Sequence, residues 1–78
     1  MKTVKDGNDL VVGKEYSDDG IRILIYVGQS KFFVDEKHKY RFHQQNYKFD
    51  LNTCEDVLIS VTPIYFDEQQ IRKLKYYD

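Results

Sequence analysis

The sequence has little of what holds small secreted proteins together, and it has no segment typical of a membrane span. Its 78 residues include one Cys, one Pro and no Trp. A lone cysteine, Cys54, forms no internal disulfide, which excludes the cysteine-stapled secreted domains. The longest apolar run, residues 23–27, is far shorter than the about 20 residues of a spanning helix, and residues 1–6 do not resemble a signal peptide. We therefore expect a cytoplasmic protein with no membrane contact.

Neither sign of charge dominates. The chain has 12 Lys and Arg against 13 Asp and Glu, a net charge of −1. This balance argues against a protein that coats nucleic acid by bulk charge and against an acidic mimic of DNA. The charges are unevenly distributed, because residues 31–49 carry a net +3 and residues 50–78 a net −3. The uneven distribution is typical of an ordinary solvated surface, and it is also compatible with a binding surface.

Motifs that would indicate an enzyme or a metal site are missing from the sequence. The four glycines form neither GxxxxGK[ST] nor GxGxxG, so the sequence predicts no phosphate-binding loop. Cys54 with His38 or His43 is the one candidate nucleophile and base, but no nucleophile-elbow context surrounds it. One Cys and two His do not match the ligand spacing of a zinc site. We expect a non-enzymatic protein without metal or cofactor, and keep a small enzyme around Cys54 as a third hypothesis.

Apolar and polar residues alternate with a period of two, which indicates β-strands. Residues 10–16 and 21–27 are predicted strands, joined by a turn at residues 17–20 that ends in Asp19-Gly20. The second of these runs has its β-branched residues on one face, which we assign to the core: Ile21, Ile23, Ile25 and Val27.

Three further runs complete the predicted sheet. Residues 31–35 and 39–43 follow short connections and form antiparallel neighbours in a meander. Residues 57–62 are another strand, which we expect to end at Pro63 because proline lacks the N–H of a central ladder. Residues 44–54 fit either a short edge strand or a loop, and the sequence does not separate these two interpretations.

The predicted last element is a short helix over residues 66–75. Asp67 is a suitable N-cap, and Gln70 three residues later completes a capping box. Ile71 and Leu74 would hold the helix against the sheet. The sequence thus predicts a mainly β protein: a single domain, residues 1–78, with a small bent antiparallel sheet or SH3-like barrel of about five strands and one short C-terminal helix.

Strand alternation places cations and aromatic side chains together on the face opposite Tyr40 and Phe42. Rings interleaved with cations suit single-stranded nucleic acid, and Tyr, Phe and Arg are also enriched at protein interfaces. A third interpretation has this face covered by the helix or by residues 44–54, with the rings forming a minor second core. The candidate binding residues are Tyr26, Lys31, Phe33, Lys39, Arg41 and His43.

Residues 10–42 contain short sequence motifs that resemble those of early-gene β-barrel proteins of tailed bacteriophages. The motifs are Val12-Gly13-Lys14-Glu15-Tyr16, Asp19-Gly20, Tyr26-Val27-Gly28, Phe33-Val34-Asp35 and Tyr40-Arg41-Phe42. This resemblance implies a protein of the infected bacterial cytoplasm that binds and modulates a host protein. It covers less than half of the chain and supplies no catalytic residue.

The leading hypothesis is therefore a non-enzymatic protein-binding module, a phage-encoded modulator or inhibitor of a bacterial host factor in transcription, replication or defence. The alternative is a small nucleic-acid-binding barrel that uses the same basic and aromatic face. The expected partner is a host protein or nucleic acid, and the chain is expected to be a monomer or a homodimer.

Overall fold

The computed structural model describes residues 2–29 and 38–77, and the strand predicted at residues 31–35 lies outside them. The described strands are β1 (Lys2–Thr3), β2 (Glu15–Tyr16), β3 (Ile23–Gln29), β4 (Tyr40–Asp50), β5 (Glu55–Phe66) and β6 (Lys75–Tyr76). A short 3₁₀ helix spans Gly7–Asp9, and the helix α1 spans Glu68–Ile71.

The strands form two antiparallel sheets. The larger has the order β2-β3-β4-β5, and β1 pairs with β6 in the smaller. Lys75, at the start of β6, also bridges to Ser17, with N···O distances of 2.8 and 3.0 Å, and so ties the small sheet to the end of β2. The mainly β prediction with a small bent antiparallel sheet is confirmed. The sheets do not close into a barrel, so the open-sheet form of the prediction is the correct one.

The core lies on one face of β4. Phe42 has no exposed surface, and its ring centroid is 5.1 Å from that of Tyr26, 5.2 Å from that of Phe66 and 6.0 Å from that of Tyr16. Rings at these separations, tilted or edge to face, add to the free energy of their burial. The inward positions predicted for Tyr40 and Phe42 are confirmed. The rest of the core consists of Val4, Leu10, Leu24, Ile71 and Leu74.

The prediction for the inner face of β3 is wrong. Leu24 and Tyr26 point into the core, whereas Ile23 and Ile25 are half-buried on the other face and Ile21 is 85% exposed. Alternation defines two faces but does not say which one is buried, and a shift of one residue exchanges them. The strand partners decide which face of β3 is buried. Leu24 pairs with Tyr16 and Tyr26 pairs with Phe42, and Tyr16 and Phe42 are the two central rings of the core.

The first predicted strand is shorter than expected, because only Glu15–Tyr16 of residues 10–16 form a regular strand. Gly13 N still donates to Tyr26 O at 2.8 Å, and Tyr26 N donates to Lys14 O at 3.2 Å. The segment before it turns around the Tyr16 hydroxyl. That hydroxyl accepts a 2.8 Å hydrogen bond from Val11 N and donates a 3.2 Å bond to Asp9 O. Gly13 lies in the same turn at a φ of 88°, a conformation that favours glycine.

Two boundaries near the end of the chain also differ from prediction. The strand β5 continues past Pro63 to Phe66, because it is at the edge of the sheet, where a missing N–H is tolerated. The helix has its predicted capping box, with Asp67 Oδ1 accepting from Gln70 N at 2.7 Å and Gln70 Oε1 accepting from Asp67 N at 2.8 Å. It ends at Ile71 instead of residue 75, because Lys75 joins β6.

Gly7 allows the 3₁₀ helix to pack against β4. A Cβ at this position would lie 2.3 Å from Tyr40 Oη and 2.7 Å from Tyr40 Cε1. The ring cannot retreat easily, since Tyr40 is buried and its hydroxyl donates a 2.6 Å hydrogen bond to Glu68 Oε2.

We therefore expect Gly7→Ala to lower the free energy of unfolding by about 1–3 kcal/mol through overpacking. The measurement is urea denaturation. Asn8→Ala, an exposed substitution in the same 3₁₀ helix, is the matched control and is expected to be close to neutral. Equal stability of the two variants would contradict the close packing of Gly7 on Tyr40.

A second prediction concerns high pH. Burial, and next the hydrogen bond to Glu68, raise the pKa of Tyr40 from 10.0 to about 12. As the pH rises, the hydroxyl of Tyr40 therefore loses its proton in the unfolded chain before it does so in the folded chain. The contribution of the protonated hydroxyl to the free energy of unfolding is complete below pH 10 and is lost as the pH rises to about 12. We expect Tyr40→Phe to reduce the loss of unfolding free energy over this range. If the free energy of unfolding fell equally with pH in the wild type and in Tyr40→Phe, the assignment to Tyr40 would be contradicted.

Candidate functional site

The hairpin of β4 and β5 projects beyond the rest of the sheet. Pairing between β3 and β4 stops at Ile23 and Gln45, whereas pairing between β4 and β5 continues to Asp50 and Glu55. Residues 46–60 therefore extend beyond β3 as a two-stranded hairpin, and together with Val61, which pairs with Gln45 at its base, they are called the arm below. The molecule measures 44 × 29 × 18 Å, and its radius of gyration is 13.7 Å, above the about 11.5 Å of a compact domain of this length.

The inner face of the arm, which continues the core face of β4, is polar at its base. Gln44 Nε2 donates to Asn46 Oδ1 at 3.0 Å, and Asn46 Nδ2 donates to Ser60 Oγ at 3.1 Å and Thr62 Oγ1 at 2.9 Å. Arg22, which is paired with Asp18, donates to Gln44 Oε1 at 3.1 Å. These bonds connect the two strands of the arm and attach its base to the β2–β3 turn.

The outer face of the arm is apolar. Tyr47 lies on this face, because its hydroxyl donates to Gln45 Oε1 at 2.7 Å and its position alternates with the inward Asn46. Register and alternation add Phe49 on β4, with Leu58 and Val61 on β5. These four residues, Tyr47, Phe49, Leu58 and Val61, are called the outer arm face.

Exposed apolar side chains are concentrated in the arm. Of the eleven large apolar residues that are exposed in the described part of the chain, seven lie between residues 47 and 61. Their exposed fractions range from 43% for Val57 to 82% for Leu51. Four of them also line an open groove of about 400 Å³ together with two charged residues: Phe49, Leu51, Val57 and Ile59, with Lys48 and Asp50. Such a cluster on a soluble surface indicates a contact surface for another macromolecule.

The end of the arm is a turn at residues 51–54 with acidic neighbours. Asn52 N donates to Asp50 Oδ1 at 2.8 Å, which is an Asx turn, and Cys54 closes the turn at a φ of 56°. Asp50, Glu55 and Asp56 outnumber the single cation Lys48, so residues 46–61 carry a net charge of −2.

The predicted basic and aromatic face assembles only in part. Tyr26 is not on it, because the ring is 5% exposed and packs on Phe42 in the core, and this part of the prediction is wrong. Arg41 and His43 do share the outward face of β4 and are half-buried, where they pair with Tyr65 and Pro63 of β5.

Three further residues were predicted on that face: Lys39, Lys31 and Phe33. Lys39 lies one residue before β4, is exposed, and has its Nζ 5.3 Å from the ring centroid of Tyr40. Lys31 and Phe33 lie outside the described residues. Within the described residues, therefore, no aromatic ring of the predicted set is left beside these cations for stacking on a base.

The structure does not bring Cys54 near a histidine base. Cys54 is exposed at the end of the arm, and its thiol is 3.8 Å from Leu51 O. His43 lies seven residues along β4 from Asp50, at roughly 23 Å for about 3.3 Å per residue. His38 precedes β4 and is farther along the same direction. The Cys–His pair considered from the sequence is thus not formed.

Neither the described residues nor the known proteins add a second indication of function. Residues 2–29 and 38–77 contain no cluster of three or more His, Cys, Asp or Glu placed to hold a metal ion. The same residues include no helix with the length and apolarity to cross a membrane. No family model, curated protein or solved structure matches the chain. The arm is therefore the candidate site on geometry alone.

Sequence reasoning did not identify the arm, although its signals are present. The alternation of Tyr47, Phe49 and Leu51 indicated a possible strand, and residues 57–62 were predicted as one. A comparison of lengths would have been informative, because two long runs flank a single turn at residues 51–54 while β3 has seven residues. A hairpin longer than its neighbour must extend past the sheet.

The turn of the arm leads to a test. Cys54 has a left-handed φ of 56°, which glycine adopts without strain and a β-branched residue does not. We expect Cys54→Gly to be more stable to urea than Cys54→Val by about 1–2 kcal/mol. The same pair of substitutions at Thr53, which is not at positive φ, should lack this preference. No difference at Cys54 would contradict the left-handed turn.

Proposed function

We propose that this chain is a small non-enzymatic protein-binding module whose recognition surface is the outer arm face. The observation that carries the proposal is the concentration of seven exposed apolar side chains on an arm that projects beyond β3 in the part of the chain that the structure describes. A folded domain gains nothing in its own stability from holding Tyr47 or Phe49 in water. Burial against a partner would contribute about 1.5–3 kcal/mol for each such side chain.

Charge favours a protein over nucleic acid as the partner. Nucleic acid is bound through cations that neutralise phosphates. The arm instead has Asp50, Glu55 and Asp56 against Lys48. The expected partner surface is therefore apolar at its centre, where it meets Tyr47, and cationic at its rim, where it meets the acidic end of the arm.

The identity of the partner class comes from the resemblance over residues 10–42. Early-gene β-barrel proteins of tailed bacteriophages imply a bacterial host factor, a component of transcription, replication or defence, which the chain would modulate or inhibit in the bacterial cytoplasm. This part of the proposal remains a prediction that the capture experiment below addresses.

The test is affinity capture from bacterial lysate with tagged wild-type protein and two matched double variants. Tyr47→Ser with Phe49→Ser changes the outer arm face, and Val12→Ser with Ile21→Ser changes two residues that are 67% and 85% exposed elsewhere. We expect the arm variant to reduce the retained protein at least about tenfold, because two burial contributions are lost. The control variant should retain it fully, and the purified partner should show the same order in a direct binding measurement.

Two results would overturn the proposal. One is equal retention by the arm variant and the wild type. The other is retention of nucleic acid alone, released steeply by added salt, which would favour the nucleic-acid alternative.

A further inference from the structure

The side of the sheet that carries the outer arm face continues along β4 into the body of the molecule. Four residues of β4 alternate on this side: Tyr47, Gln45, His43 and Arg41. Their partners on β5 are, in the same order, Leu58, Val61, Pro63 and Tyr65. At about 3.3 Å per residue, Arg41 lies roughly 13 Å along β4 from the row of Val61, the nearest member of the outer arm face. One partner segment can therefore contact both.

The charge of this side changes along β4. Residues 39–47 contain Lys39 and Arg41 and no acidic residue. The end of the arm instead has Asp50, Glu55 and Asp56 against Lys48, as described above. The apolar outer arm face thus lies between a cationic end and an acidic end.

The guanidinium group of Arg41 has no partner in the described part of the chain. Its Nε atom is buried without a hydrogen bond, and among residues 2–29 and 38–77 no other buried side-chain nitrogen or oxygen lacks one. Its terminal nitrogens, Nη1 and Nη2, form no bond to these residues either, but they are not buried. Buried polar groups of folded proteins are almost always paired. The stem of Arg41 is therefore fixed on the sheet, while its two terminal nitrogens remain available to a bound group.

The carboxylates described near this end of the sheet are engaged elsewhere or are too far away. Asp67 belongs to the capping box, and Glu68 accepts the hydrogen bond of Tyr40 on the core side. Glu15 lies on the outer side, but β2 is two strands away from β4, at about 10 Å. None of these three carboxylates forms an ion pair with Arg41. The positive charge of Arg41 is thus left for a partner.

The group that suits Arg41 best is a carboxylate. The two terminal nitrogens of a guanidinium can donate two parallel hydrogen bonds to the two oxygens of one carboxylate. One guanidinium also carries one positive charge, which matches the single negative charge of this group. Because Arg41 is half-buried, a pair formed there under a bound partner would be partly shielded from water and stronger than a pair on an open surface.

We infer that Arg41 binds a carboxylate of the same partner that covers the outer arm face. The partner segment then has an acidic residue at one end, apolar side chains over Val61 and Tyr47, and a cation at the acidic end of the arm. These two charges fix its direction along β4. The inference rests on the proposed function in taking the outer arm face as the recognition surface, and it adds the charge pattern and the orientation of the partner.

The test uses three synthetic peptides of about ten residues, an extended length that spans β4 from Arg41 to the end of the arm. All three have the same alternating apolar residues in the middle and two lysines at one end. The other end carries two Glu, two Gln or two Lys. We expect the wild type to bind the Glu peptide about fivefold more tightly than the Gln peptide, and the Lys peptide most weakly, as measured by fluorescence anisotropy.

Two variants assign this preference to Arg41. In Arg41→Gln the Glu and Gln peptides should bind equally, because the charge that distinguishes them is gone. Arg72→Gln, the same substitution at an exposed arginine that caps the end of α1, is the matched control and should keep the wild-type preference. If Arg41→Gln fails to fold, the comparison of the three peptides on wild-type protein still decides.

The double variant Tyr47→Ser with Phe49→Ser separates this inference from the proposed function. It should weaken all three peptides by the same factor, because they share their apolar residues. Equal binding of the Glu and Gln peptides by the wild type, a preference that survives in Arg41→Gln, or no binding of the Glu peptide would overturn the role of Arg41. A preference for Glu that needs Arg41 but is unaffected by the double variant would support the carboxylate site and count against the outer arm face as the recognition surface.

Discussion

The strand β4 has partners of unequal length on its two sides, and the shape of the molecule follows from this inequality. Its eleven residues pair with a seven-residue strand on one side and a twelve-residue strand on the other. The half next to β3 is covered by the core. The other half pairs with no third strand among residues 2–29 and 38–77 and becomes the arm.

The inner face of β4 shows where the core stops. Tyr40 and Phe42 are buried, and the next two inward residues, Gln44 and Asn46, are polar and hydrogen-bonded to neighbouring side chains. This change from rings to amides reverses the polarity of the sheet along its length. The body is apolar inside and the arm is apolar outside, so the surface that a monomer leaves uncovered faces away from its own core.

The two sides of the arm have different chemistry. The outer arm face offers aromatic and aliphatic side chains beside an acidic end, which suits an apolar partner surface with a cationic rim. The strand β5 contributes an uncharged run over residues 57–62, whereas β4 carries Lys48 and Asp50.

Local signals determined much of the fold. The period of two, the Asp19-Gly20 turn and the capping box between Asp67 and Gln70 act over a few residues, and each is found where the sequence predicts it. Features that depend on distant partners were not determined in this way. Tyr26 is in the core because Phe42 lies beside it, and β5 continues through Pro63 because it is the edge strand of the described sheet. Alternation tells which residues share a face, but the choice of the buried face and the projection of the arm depend on strand order and length, which only the tertiary structure decides.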